Sequence, residues 1–316
     1  MTSLEEQLQS LNENFGLPGV LAFDVHPGTE LVRAQVTLPE ASATIYLHGA
    51  HITHWQPAGQ PPVLFLSERS EFEPAKAIRG GIPICFPWFG PRQPGPRGDS
   101  QSGPSHGFAR ITPWAVSFAA LIPSGGSQDG DSLRLTLMLS PDDLSRSLGF
   151  DHFRVACEFT LGKTLSIRLS VVNLADAPLR FEEALHTYFH VGDVRRATIT
   201  GLEGAAYLDK RDEMREKHAP AEPLRLSATT DRVFPANSAD TAIHDEVLGR
   251  EIAIAKTNSA TTVVWNPWAE VAKTLADLDP EAWPGFLCVE AANTGTDTIV
   301  LAPRQAHTME LTVSLK

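Results

Sequence analysis

Two short runs hold the residues best suited to moving protons. His186 lies in Leu179 to Val191 (LRFEEALHTYFHV), and Glu290 lies in Phe286 to Asn293 (FLCVEAAN). Twofold alternation along the first run puts Arg180, Glu182, Ala184, His186, Tyr188 and His190 on one face. That face is too polar for a dry core and predicts the floor of a cleft. The second run is apolar apart from Glu290, and burying a carboxylate is costly unless it is paired or hydrogen-bonded. Glu290 is therefore either a strand-end or salt-bridging residue, or a general base in a partly desolvated pocket. His186 offers the matching choice between a structural histidine and an acid–base group.

A third stretch, Arg79 to Arg110, could hold the ligand on which such groups act. It reads RGGIPICFPWFGPRQPGPRGDSQSGPSHGFAR, too dense in proline and glycine for a helix or a central strand. It is predicted to be a long shaped loop, where binding residues concentrate. Arg79 and Arg110 bracket it, and a guanidinium fork matches a carboxylate or phosphate. Trp88 and Phe89 read equally well as core filler or as a sugar-stacking wall.

Other constellations say less. His48, His51 and His54 are spaced by three, so on a strand neighbours in the set face opposite ways, and a shared metal would need a bulge. The run Asp209 to Arg215 is mixed in charge, the usual mark of a solvated loop. No nucleophile elbow, phosphate-binding loop or dinucleotide fingerprint is present.

The elements that must position these groups are strands. Val32 to Leu38, Leu133 to Leu139, Phe153 to Phe159, Leu165 to Val171 and Met309 to Leu315 all alternate apolar with polar, the pattern of half-buried antiparallel strands. Helices are few: Ser3 to Phe15, with a Ser3/Glu6 capping box, a turn at Pro141 to Ser147, and a turn or short helix at Trp268 to Leu278. The expectation is an all-β chain, a large antiparallel β-sandwich over 19–316 behind a helical appendage at 1–18. A net charge of −12 argues against nucleic acid or acidic membrane as partner. Three scattered cysteines suggest neither a disulfide framework nor a thiolate metal site. With no long apolar run and no signal-peptide pattern at the N-terminus, a cytoplasmic location is expected.

Taken in order, the segments LHGAH (47–51), RGGIPICFPWFG (79–90), HGFAR (106–110), LHTYF (185–189), GLEG (201–204), YLD (207–209), VWNPW (264–268) and CVE (288–290) resemble the glucose-6-phosphate 1-epimerases, or hexose-6-phosphate mutarotases, of the aldose 1-epimerase superfamily. The resemblance covers roughly residues 20 to 315 and implies a galactose mutarotase-like β-sandwich. It implies that the chain interconverts the α and β anomers of a hexose 6-phosphate, with His186 and Glu290 as the catalytic pair. Arg79 and Arg110 would line the sugar-phosphate site, with Asp209, His106, Ser105 and Trp88 as further substrate contacts. Relatives often carry Gln where this chain has Ser105, and the insert 93–105 would reshape the pocket mouth. Opening and closing a hemiacetal needs no redox step, so no cofactor and no metal are expected. The expected partner is a small sugar phosphate, and the chain is expected to be a monomer. The alternatives are a non-catalytic carbohydrate-binding module, an epimerase of unphosphorylated aldoses, and a two-carboxylate glycoside hydrolase.

Overall fold

The structure is a computed structural model that describes residues 3–92, 103–124 and 130–316. Most of the proposed insert, 93–102, lies outside the described residues, as does part of the turn at 123–130.

Alternation in sequence becomes alternation in burial. Along Ser132–Leu139, Phe153–Leu161 and Leu165–Asn173 every second side chain is buried. These strands belong to an eight-stranded antiparallel sheet that also takes in Ala306–Leu315, Arg250–Thr257, Thr241–Asp245, Ala197–Thr200 and, at one edge, Ala115–Ile122. A four-stranded meander, Leu21–Val25 to His51–Pro57, contributes Ala34, Ile45 and Trp55 to the same core.

A second eight-stranded sheet has Phe286–Asn293 near its middle, flanked by Thr261–Asn266 on one side and by Glu183–Leu185 and Tyr188–His190 on the other. All eight residues of Phe286–Asn293 are buried. Leu287, Val289 and Ala291 face the main core. On the opposite face Ala292, Val263, Val233, Ala184 and Cys85 form a small separate cluster. The architecture is thus all-β, layered antiparallel sheets with three short α-helices among the described residues.

The N-terminal helix is Leu4–Phe15. Its capping box is made by Ser3 and Glu6, and its apolar stripe Leu4, Leu8, Leu11 and Phe15 packs on the core. The other two expected turns appear as Asp143–Ser147 and Trp268–Ala272.

The run 179–191 departs from expectation. It is not one strand but three, Leu179–Phe181, Glu183–Leu185 and Tyr188–His190. The breaks scatter the face predicted as a cleft floor. Arg180 is exposed, His190 bonds the Pro62 carbonyl, and Glu182 accepts the N–H groups of Phe89 and Gly295. Glu183, expected among the apolar residues, is fully buried against His307 at 3.0 Å and the Asn293 amide at 2.9 Å.

The three spaced histidines take separate partners. His48 Nε2 donates to the Lys76 carbonyl at 2.7 Å, His51 Nε2 donates to that of Gly80 at 2.7 Å, and His54 lies 3.2 Å from the Ser42 hydroxyl. Two of these bonds fasten the segment carrying Arg79. Gly80 and Gly81 have φ of +115° and +60°, and a Cβ on Gly81 would strike the Ile52 carbonyl, so only glycine permits this approach.

His51 is wholly buried, and burial pushes its imidazole down to about 3 from the ordinary 6.5. The folded protein holds it neutral, so its stabilising contribution is full above the ordinary value and is lost as pH falls toward 3. The slope reaches ~1.4 kcal/mol per pH unit. His51→Gln, whose amide still donates to Gly80, is expected to keep more of its neutral-pH denaturant midpoint than wild type when both are titrated into acid.

Candidate active site

Register brings the two candidate acid–base groups together. Leu185 lies opposite Ala291 and Tyr188 opposite Cys288, and the same register carries His186 to the position facing Glu290. The ladder is open at that point. The Thr187 N–H turns back to the Leu185 carbonyl at 2.8 Å, while the His186 N–H reaches the Pro83 carbonyl at 3.0 Å. This three-residue turn has His186 at its centre. His186 Nε2 stands 3.4 Å from Glu290 Oε1. Neither Glu290 oxygen has a hydrogen-bond partner, nor has His186 Nδ1, although all three atoms are buried. Buried polar atoms left unpaired in a folded protein are rare and point to work on a ligand.

The imidazole is held by its neighbours. Tyr188 stacks on it with centroids 4.9 Å apart and planes 12° apart, and Trp265 and His106 meet it edge-on. Burial is the main force on both ionisable groups: it drives the Glu290 carboxyl well above its ordinary value and the His186 imidazole well below. Asp231 adds to the rise in Glu290, and Arg110 adds to the fall in His186. The pair therefore favours a state of no net charge holding one exchangeable proton.

Both groups open into a cavity of about 130 Å³ whose walls also carry Arg79, His106 and Phe89, with Lys210, Asp231, Val263 and Trp265 completing it. The tautomer of His106 follows from its contacts. Its Nδ1 accepts the Gly90 N–H at 3.2 Å, so the ring proton sits on Nε2. Burial, then the charge of Arg110, holds this imidazole neutral, which makes it a hydrogen-bond donor in the pocket wall. Arg79 is fixed by Asp277, which it meets through Nε at 3.1 Å and Nη2 at 3.0 Å, and by the Tyr188 hydroxyl at 3.0 Å from Nη1.

The remaining expected contacts lie elsewhere. Asp209 is not in the cavity lining. Its carboxylate is taken by Lys217 at 2.8 Å, and the residue that turns into the pocket is its neighbour Lys210. Trp88 is buried core, donating its indole N–H to the Pro104 carbonyl and packing edge-on to Phe108; the aromatic wall is Phe89. Ser105 is exposed and offers only its carbonyl, to Arg110 Nη2 at 2.7 Å. Arg110 is outside the lining as well, with a buried Nε that has no partner. Sequence reasoning missed Lys210, Asp231 and Trp265. Trp265 stood within a quoted motif, but nothing in the pattern marked Asp231 among the half-buried residues of Thr230–Phe234.

An antiparallel sheet face bearing a buried imidazole–carboxylate pair beside a small polar cavity has the make-up of an acid–base site, the class that proton-shuttling isomerases use. The family model described as aldose 1-epimerase matches residues 34–314. The chain is 32% identical over 278 residues, 88% of each chain, to a protein of Escherichia coli K12 named "Putative glucose-6-phosphate 1-epimerase". It is 33% identical over 268 residues to the protein of the same name from Salmonella typhimurium, covering 85% of this chain and 83% of that one. A crystal structure from Salmonella typhimurium, titled a putative mutarotase, superposes with a TM-score of 0.84 at 30% identity and 95% coverage of both chains. Galactose 1-epimerase of Lactobacillus acidophilus shares the fold, with a TM-score of 0.68 at 11% identity over 94% of this chain and 98% of that one. The chain belongs to the aldose 1-epimerase family, enzymes that interconvert sugar anomers.

Cys85 and Cys288 lie under the site and Cys157 in the main core; all three are free and buried, and burial drives each thiol up. None is expected to react with a thiol-titrating disulfide reagent in the native protein near pH 8, and all three should react once it is unfolded.

Proposed function

We propose that the enzyme interconverts the α and β anomers of a hexose 6-phosphate, with glucose 6-phosphate the best candidate. The observation that carries this reading is the His186–Glu290 pair, 3.4 Å apart and buried, with both Glu290 oxygens and His186 Nδ1 left unpartnered. Ring opening removes a proton from O1 and delivers one to O5. Glu290 takes the first and His186 supplies the second, and the roles reverse when the ring recloses on the other face of C1. Moving the shared proton from Glu290 to His186 creates carboxylate and imidazolium without changing the net charge of the pair. That is the form that acts on substrate.

Support for a phosphorylated substrate comes from the arginines. Arg79 keeps unused N–H groups beside Asp277 and Tyr188, and Arg110 has a buried, unpartnered Nε and no carboxylate partner among the described ion pairs. Together they suit a phosphate leaving the sugar next to O5, where His186 works. Phe89 would pack on the sugar's apolar face. The three free thiols are compatible with a reducing compartment, and we place the enzyme in the cytoplasm.

Anomer-exchange NMR on glucose 6-phosphate tests the assignment. Glu290→Gln and His186→Ala should each lose roughly 10²–10⁴ in kcat/KM, and near-normal exchange in either variant refutes it. The wild-type kcat/KM profile should be bell-shaped, falling in acid when the pair gains a second proton and in alkali when it loses its one. Arg79→Ala should raise KM for glucose 6-phosphate far more than for glucose. Equal effects would instead favour an epimerase of free aldoses.

A further inference from the structure

Beside the catalytic pair the cavity holds a second pair of opposite charges that the mechanism above does not use. Lys210 Nζ and Asp231 Oδ2 lie 3.3 Å apart, and both line the same cavity as Glu290. The sheet explains how they arrive there. Asp231 is opposite Trp265, which is opposite Cys288, while Val233 is opposite Val263, which is opposite Glu290. Paired residues share a face and so do residues two apart, so Asp231 and Glu290 project from one side of the sheet.

Lys210 follows the strand Ala206–Asp209, and its N–H bonds the Asp231 carbonyl at 3.0 Å. The hairpin behind it is clipped by Lys217, whose ammonium reaches Asp209 and Asp212, each at 2.8 Å. This clip occupies the acid next to Lys210 and leaves Asp231 as its ion-pair partner. The Lys210 ammonium also lies 5.4 Å from the centroid of Phe89, which keeps it over the pocket.

We propose, on the reading that Glu290 is the proton acceptor, that Lys210 and Asp231 are positioning residues that act through it. Lys210 is the cation that favours the Glu290 carboxylate, and Asp231 anchors that cation while opposing the same carboxylate. The other groups around Glu290 are accounted for: in the cavity wall burial holds His106 neutral, and Arg79 is paired with Asp277. His186 faces it across the ladder, and Arg110 adds a positive charge that Ser105 holds in place. Cys288, Cys85 and Tyr188 are neutral neighbours whose own ionisation burial suppresses. Burial and then Asp231 push the Glu290 carboxyl up, while Lys210 and then Arg110 pull it down. The two members of one ion pair therefore act on Glu290 with opposite sign.

That opposition is the test, because loss of a merely structural salt bridge would affect both variants alike. The pH profile of kcat/KM for glucose 6-phosphate is measured for wild type, Lys210→Met, Lys210→Arg and Asp231→Asn. Lys210→Met keeps the aliphatic stem against Phe89, and both limbs of its profile should move to higher pH by roughly one unit. Asp231→Asn should move both limbs to lower pH. Lys210→Arg keeps the charge and should leave the limbs at their wild-type positions. Unmoved limbs, or shifts of the same sign in Lys210→Met and Asp231→Asn, overturn the proposal. If Lys210→Met does not fold, the direction of the Asp231→Asn shift decides. Active Glu290→Gln would instead remove the underlying assignment, whereas inactive Glu290→Gln with unmoved limbs in the other variants defeats this inference alone.

Discussion

A carboxylate buried on a strand covered on both faces is the constraint around which the site is organised. Glu290 is 1% exposed, and its strand packs the main core with one face and the cavity floor with the other. In such a place an isolated carboxylate would be expelled or protonated. Burial accordingly holds Glu290 protonated at rest, the imidazole opposite and the cations nearby bring its carboxylate within reach, and the flanking strands fix its direction. Its neighbours Cys288 and Ala292 on the same face are small, which leaves room above it for a ligand.

Positioning of the imidazole follows from the same strand. A continuous ladder would have held His186 in ordinary strand geometry; the turn closed by the Thr187 N–H interrupts it at His186 and Thr187. The flanking pairs Leu185–Ala291 and Tyr188–Cys288 keep the register on both sides, so the interruption does not let the chain slip. Glu182 performs a related task. Its carboxylate gathers the Phe89 and Gly295 N–H groups and the Thr294 hydroxyl, tying the aromatic wall to the end of the strand that carries Glu290. Arg79 is held from behind by Asp277 and Tyr188, and Tyr188 in turn stacks on His186. Arg79 and His186 thus share a support, and displacement of one would be felt by the other.

The sequence made the sheets legible because a period of two survives wherever one face is buried, as in Ser132–Leu139 and Phe153–Leu161. Glu290 was legible because a charge in an apolar run carries its own energetic signature. The interruption at His186 was not, since LRFEEALHTYFHV alternates well enough to pass for one strand, and the tight turn depends on the Pro83 carbonyl, over a hundred positions away. Asp209 misled for a related reason. Successive strand residues point to opposite sides, and the charge run Asp209 to Lys217 gives no sign of which acid Lys217 will claim. Lys210 directly follows Ala206–Asp209, and Asp231 lies on its partner Thr230–Phe234, a pairing that spans a hairpin and a long connection, so their meeting is a property of the sheet and not of either segment.

The anionic ligand proposed above looks at odds with a net charge of −12 until distances are considered. Exposed charges act across water in which salt screens them within ~8–10 Å, so the acidic exterior contributes little at the cavity floor. Charges inside are screened far less, and there the balance differs. Arg79 is set against Asp277 and Lys210 against Asp231, while burial suppresses the charge of Glu290. Arg110 remains without a carboxylate partner among the described ion pairs, its Nε buried and unbonded. Arg110, behind the lining, thus leaves the surroundings of the cavity locally positive within an acidic protein. Such an excess has a cost, because desolvation works against an unpaired guanidinium, and burial does lower the Arg110 pKa from its ordinary value. The anion of the proposed substrate would relieve that cost, so part of its binding would come from relieving the desolvation of Arg110.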